Sequence, residues 1–157
     1  TCALPIWLKS FSHIETGSVD LIFSQAVLEH VRKYEFAETM KECRRVLSPN
    51  GVVSHQVDLR DHLGGGLNNL RFNEKIWESV FFVKSGFYTN RIRYSEMLKF
   101  FKDADFAVNV LDTSRWDKLP IGRAALNVHF AKLPDDELNV KVFDVLLRPI
   151  LVPVSSA

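Results

Sequence analysis

The sequence has almost no cysteine, no long apolar run and no excess of charge of either sign, and each absence excludes something. Two cysteines, Cys2 and Cys43, cannot build a disulfide framework in a chain of 157 residues. Cys43 also falls on the inner stripe of a helical pattern, so a reducing, cytoplasmic setting is expected. The longest apolar stretch, Val145 to Val154, is broken by Arg148, Pro149 and Pro153. It is shorter than the ~20 residues a membrane-spanning helix needs, so no membrane partner is expected. Twenty basic against 19 acidic side chains leave a formal charge of +1, and no basic stripe argues for a nucleic-acid partner. No serine sits in a G-x-S-x-G elbow, which sets aside a hydrolase reading of Ser24, His55 and Asp58. Gly64-Gly65-Gly66 does not open a helix after a strand in G-x-G-x-x-G spacing, so flexibility is its expected role. There is no internal repeat and no low-complexity tract. Thr1 to Ile6 has no start methionine, charged n-region or cleavage site, so it is not expected to be a signal peptide. Ala3-Leu4-Pro5-Ile6 is what a common sequencing-adapter oligonucleotide encodes. Residues 1–16 are therefore expected to be a scar or the remnant of a truncated upstream region.

What remains is one domain's worth of ordinary globular sequence, 46% hydrophobic and 25% charged. Val19 to Phe23 is an apolar run that stops at Ser24 and Gln25, as a strand does when its carboxyl end opens onto a crevice. A short helix is expected from near Gln25. Phe36, Met40, Cys43 and Leu47 recur on one stripe of a 3.6-residue period and predict an amphipathic helix over Glu35 to Leu47. Ser48-Pro49-Asn50-Gly51 reads as the turn that ends it, with glycine there to accept positive φ. Val52 to Leu59 is the next strand, completing a βαβ unit whose crossover should be right-handed. Ser95 can cap a helix carrying Met97, Leu98 and Phe101. Strands are expected at Phe106 to Leu111 and Asn139 to Arg148, with a modest helix over Arg123 to Lys132.

Two blocks carry a resemblance: DLIFSQAVLEHV, Asp20 to Val31, and RRVLSPNGVVSHQVDL, Arg44 to Leu59. Together they closely resemble the middle of class I S-adenosylmethionine-dependent methyltransferases, the fourth strand with its VLEHV turn and the link into the fifth. The resemblance runs from about Gly17 to Arg148, and only these blocks are specific. It implies an α/β fold, a partial Rossmann-like methyltransferase sheet of about four strands (family strands four to seven) with the last strand antiparallel. The spatial order would be first, second, fourth, third. Residues 17–148 would form the C-terminal part of a single methyltransferase domain with a lid-like insertion at 59–93, and 149–157 a tail. Three missing βαβ-type steps of roughly 30 residues would leave on the order of 90 residues absent. Those would include the glycine-rich cofactor loop and the acidic residue expected after the second strand.

The implied activity is methyl transfer from S-adenosylmethionine to a small polar acceptor by a longer parent enzyme, with the isolated chain incompetent. A non-catalytic binding or scaffold protein that kept the fold is the alternative. A nucleotide-dependent oxidoreductase would need an upstream dinucleotide fingerprint and a parallel final strand. Carried over from the resemblance, Ser24, Gln25 and Ala26 line the cofactor's methionine end, or else merely end a strand. His30 is either a base for a hydroxyl acceptor, since imidazole titrates near neutrality, or a structural histidine hydrogen-bonded under the turn.

Further along, His55 and Val57 should point to one sheet face and Gln56 and Asp58 to the other, so a metal shared by His55 and Asp58 would need a bent strand, and none is expected. Asp58 and His62 remain candidates for acid–base work, and Asp61 for substrate hydrogen bonding. Asn68, Arg71, Tyr88, Asn90, Arg91 and Arg93 are candidate acceptor contacts in the insertion, the arginines suiting a carboxylate or phosphate. Each could instead be solvated or paired with neighbouring acids.

Overall fold

A computed structural model describes residues 11–150 of the chain. Residues 1–10 of the expected upstream remnant and 151–157 of the expected tail lie outside the described residues. Four strands, β1 (Val19–Gln25), β2 (Leu47–Asp58), β3 (Phe106–Arg115) and β4 (Val140–Pro149), form one sheet in the order β1-β2-β4-β3. β1 runs parallel to β2, and β4 is antiparallel to both β2 and β3. This is the order and direction expected from the sequence.

Helix α1 (Lys33–Val46) crosses from β1 to β2. Its stripe of Phe36, Met40 and Cys43 is buried against Val53 and Val57 of β2 and Phe143, Val145 and Leu147 of β4. Helix α4 (Tyr94–Asp103) lays Met97 and Phe101 on the same face. Two short helices precede it, α2 (Glu74–Trp77) and α3 (Val80–Val83), and two follow β3, α5 (Val128–Ala131) and α6 (Asp135–Leu138). A second apolar cluster of Leu67, Leu70, Leu126, Phe130 and Leu138 ties the 59–93 insertion to the connection before β4. Among the described residues, no helix is long and apolar enough to cross a membrane.

Three local expectations change. The helix expected from Gln25 is a single 3-10 turn, Leu28–His30, because Ala26 takes a left-handed φ of 51° and breaks the chain direction. Ser48 to Gly51 is no free turn. Strand β2 already starts at Leu47, and the four residues 48–51 bulge between the pairs Val19↔Leu47 and Leu21↔Val52. Gly51 is needed there for space rather than for positive φ, since a Cβ would lie 2.8 Å from the Leu47 side chain and 3.0 Å from the Val19 carbonyl. The helix expected over Arg123 to Lys132 splits in two, because the Asn127 side chain accepts from His129 N and starts α5 anew.

Helices α1 and α4 cover one sheet face. On the other, Leu21 and Phe23 of β1 are 57% and 78% exposed, and Leu111 of β3 is 58% exposed. Among the described residues β1 pairs only with β2, so an apolar strand presents both a bare face and an open edge. Phe23→Lys is expected to reduce self-association without lowering thermal stability. Light scattering across a concentration series checks this, and equal scattering by both proteins would refute it.

Candidate functional site

The carboxyl ends of β1 and β2 lie side by side, joined by the pairs Ser24↔His55 and Gln25↔Gln56. In open α/β sheets this edge is where ligands bind. Gln25 and Ala26 are exposed there. Gln25 Nε2 donates to Gln56 Oε1 at 3.2 Å and Ala26 N donates to the Gln56 carbonyl at 3.0 Å. Ser24 differs from its neighbours. Its hydroxyl is turned to the covered face and bonds His55 Nδ1 at 2.7 Å. His55 is buried, stacks on Phe101, and is pushed down by burial to about 4, so its ring is neutral.

Immediately after this strand end, the 3-10 turn carries His30. Its Nδ1 lies 3.0 Å from the carbonyl of Tyr88, an acceptor only, so Nδ1 carries the proton and Nε2 the lone pair. Burial lowers the His30 pKa below its ordinary value, helped by nearby His62 and opposed by the Tyr88 hydrogen bond and Asp58. The His62 ring lies 4.9 Å from the His30 ring and is exposed to solvent. Asp58 is half-buried and forked onto Arg60 at 2.7 to 3.2 Å. Burial would raise its pKa, and the Arg60 bonds and charge outweigh it, so the net direction is downward. The structure thus brings His30, Asp58 and His62 together at one edge, beside Gln25 and Ala26. Among the described residues no group of three acidic, histidine or cysteine side chains could hold a metal.

The 59–93 insertion is held together by its own polar side chains. Asp61 is buried and closes its own loop, accepting from Leu63 N at 2.8 Å and from Asn68 N. Asn68 is half-buried over that loop, and Arg71 is exposed. Tyr88 is buried on Trp77 with its hydroxyl donating to Glu78 at 2.9 Å. Asn90 clamps the turn after β1, its side chain donating to Leu28 and Val31 carbonyls at 2.8 and 2.9 Å and its backbone N–H to Glu29. Arg91, buried at a left-handed φ of 60°, bonds the Asn69 and Phe72 carbonyls and Glu74. Arg93 bonds the carbonyls of Leu59, Glu137, Leu138 and Val140. Asp61, Tyr88, Asn90, Arg91 and Arg93, expected as acceptor contacts, are all engaged within the protein. Their polar atoms hold the protein's own backbone and loops because each is buried where an unpaired carbonyl or amide would be costly.

One residue that sequence reasoning passed over stands out. Glu29 is only 2% exposed, and neither carboxyl oxygen makes a well-aligned hydrogen bond among the described residues. Burial raises its pKa to about 7, opposed by the nearby backbone N–H groups of Glu29 and Asp58 and helped by the Asp58 charge. The signal was a lone acid inside the apolar segment Val27 to Val31. Glu29 and His55 act on stability in opposite senses. Between the ordinary glutamate pKa of 4.5 and about 7 the folded state holds a proton on Glu29 that the unfolded chain has released, so stability falls as pH rises. Between about 4 and 6.5 the unfolded chain holds a proton that folded His55 refuses, so stability rises with pH. The two offset each other over the shared window. Glu29→Gln is expected to unmask His55, giving stability that climbs with pH through this window, and to add about 1–3 kcal/mol above neutrality. Urea unfolding at several pH values checks it. A pH profile parallel to the unsubstituted chain's would contradict it.

Residues 8–54 match a family profile described as a methyltransferase domain. No curated protein matches. Among solved structures, an arsenic(III) S-adenosylmethionine methyltransferase from Chlamydomonas reinhardtii is similar over 96% of this chain and 44% of its own, with 16% identity and a TM-score of 0.50. The YcgJ protein of Bacillus subtilis is similar over 96% of this chain and 69% of its own, with 14% identity and a TM-score of 0.51. The chain spans between 32% and 64% of six further methyltransferase structures. The chain has a class I methyltransferase-like fold.

Proposed function

We propose that this chain is the C-terminal half of an S-adenosylmethionine-dependent methyltransferase acting on a small polar acceptor. The observation that carries the reading is His30, on the turn that follows the carboxyl end of β1, whose Nδ1–H is held by the Tyr88 carbonyl and whose Nε2 is left with the lone pair. The cofactor supplies a methyl group on a sulfonium. The residues present fit one wall of its site, since Gln25 and the Ala26 backbone are exposed at the strand end while the Ser24 hydroxyl is held by His55. His30 Nε2 takes the acceptor's proton, and the fixed Nδ1–H to Tyr88 bond keeps the ring aimed. Asp58 stabilises the imidazolium that results, and His62 forms the outer side of the acceptor space. Of the remaining candidates, Asn68 and Arg71 are assigned to acceptor binding from the insertion.

The other cofactor wall, with its glycine-rich loop, is assigned to residues upstream in a longer protein. Cys43, buried and pushed up to about 12 by that burial, is an unreactive thiol in keeping with a cytoplasmic setting. Calorimetric titration of S-adenosylmethionine tests the reading with two proteins, the 157-residue chain and the same chain extended upstream along its gene. Binding is expected only to the extended protein. Tight binding by the shorter chain would show that the cofactor wall is misplaced. Absence of binding in both would leave a protein that kept the fold without the activity.

A further inference from the structure

Between the turn Leu28–His30 and the segment 89–93 lies a cavity of about 10 Å³, lined by Glu29, Asp58, Asn69, Asn90, Arg91 and Arg93 among others. That volume suits a single water molecule and nothing larger. Five polar atoms of its lining residues make no well-aligned hydrogen bond among the described residues: both carboxyl oxygens of Glu29, Oδ1 of Asn69, and Nε of Arg91 and Arg93. All four side chains are at most 4% exposed, so bulk solvent does not satisfy them. Asn69 Nδ2 donates to Thr89 Oγ1 at 2.9 Å, and its Oδ1 faces the cavity.

These unsatisfied groups are of both kinds. Asn69 Oδ1 accepts, the Glu29 carboxyl accepts at both oxygens when ionised and donates from one when protonated, and the guanidinium Nε–H groups only donate. A metal cation would satisfy the first set and be repelled by the two guanidiniums. An anion would suit the guanidiniums and be repelled by Glu29 and Asp58. Only a guest that donates and accepts answers both sets. We propose that this cavity is a binding site for one ordered water molecule, which bridges Glu29 to Asn69. The bridge works beside the Asn90 clamp and fastens the turn that carries His30 to the 59–93 insertion. It stands whether or not the chain belongs to an enzyme.

A crystal structure of the 157-residue chain that resolves ordered solvent tests the site directly. Density is expected within about 2.6–3.2 Å of both a Glu29 oxygen and Asn69 Oδ1. A dry cavity, a Glu29 carboxyl turned directly onto Arg91 or Arg93, or oxygen distances of about 2.0–2.4 Å marking a metal ion would each overturn it. A double-mutant cycle of Glu29→Met and Asn69→Ala gives an independent measure, read as Tm at about pH 5, where Glu29 is protonated when folded. If one water joins the two, either substitution breaks the bridge, and the double variant loses clearly less Tm than the sum of the singles. Additive losses would overturn the bridge. Should Glu29→Met fail to fold, Glu29→Gln retains the hydrogen-bonding atoms and must show the same density. Its absence there counts against the site as well.

Discussion

Arg93→Lys is expected to destabilise the chain by about 3–5 kcal/mol, a fall in Tm of roughly 10 °C or more, despite keeping the positive charge. The guanidinium is buried and fans across four carbonyls, at 2.9 Å to Leu59, 3.2 Å to Glu137 and Leu138, and 3.0 Å to Val140. Those carbonyls come from the end of β2 and from α6 and the start of β4, so one side chain joins the insertion to the last strand. A lysine ammonium has three donors on one atom and no planar fork, so it cannot reach carbonyls spread this way. At least two would be left unpaired in the interior, at a cost of about 1–3 kcal/mol each. Burial pushes the Arg93 pKa down to about 10, with Glu137 acting in the opposite sense. The group is still charged at neutral pH and depends on these bonds. Thermal unfolding and a urea midpoint decide the matter. If Arg93 instead read an anionic acceptor, lysine would leave Tm unchanged and raise only the acceptor's KM, and that result would sink the structural role.

That arginine shows where the sequence was legible and where it was not. The run Val19 to Phe23, the stripe Phe36, Met40, Cys43 and the late strand near Val140 to Leu147 are periodic signals. Each specifies an element and the face that meets a neighbour, whereas the sheet order and direction were implied by the resemblance that the blocks Asp20 to Val31 and Arg44 to Leu59 carry. Arg93 carries no such signal. Its partners are carbonyls 34 to 47 residues away, and backbone carbonyls look alike in any sequence. Reading an arginine in a long irregular segment as a ligand contact follows a sound general tendency. Here the guanidinium is buried on backbone carbonyls instead of reaching solvent. Glu29 is the opposite case. A carboxylate among Val27, Leu28 and Val31 was visible as an anomaly, yet only the fold shows that no well-aligned hydrogen bond holds it among the described residues. Gly51 likewise looked like a turn residue, and only the close approach of Val19 and Leu47 reveals a packing reason.

His30→Asn is expected to lower kcat for methyl transfer by about 10²–10³-fold in the protein extended upstream, with cofactor affinity unchanged. Asparagine is the informative replacement. Its Nδ2 can occupy the place of the imidazole Nδ1–H and keep the bond to the Tyr88 carbonyl, so the turn and the insertion stay fastened. What it lacks is the Nε2 lone pair. A loss of rate with unchanged Tm therefore isolates proton transfer from folding. The pH profile supplies a second reading. Because burial lowers the His30 pKa, the unsubstituted enzyme should hold its rate to somewhat below the ordinary imidazole value of 6.5 and then lose it as the ring protonates. His62→Gln removes a charge that opposes this protonation. It should move the acidic limb toward higher pH while leaving the plateau rate within a few-fold. If His30 only props the turn, His30→Asn will show near-normal kcat and the same acidic limb, and the base must then be sought outside these residues. A large drop in Tm with proportionate loss of binding would likewise return His30 to a purely structural part. Retained stability, retained cofactor affinity and a missing acidic limb form the one combination that only a catalytic base produces.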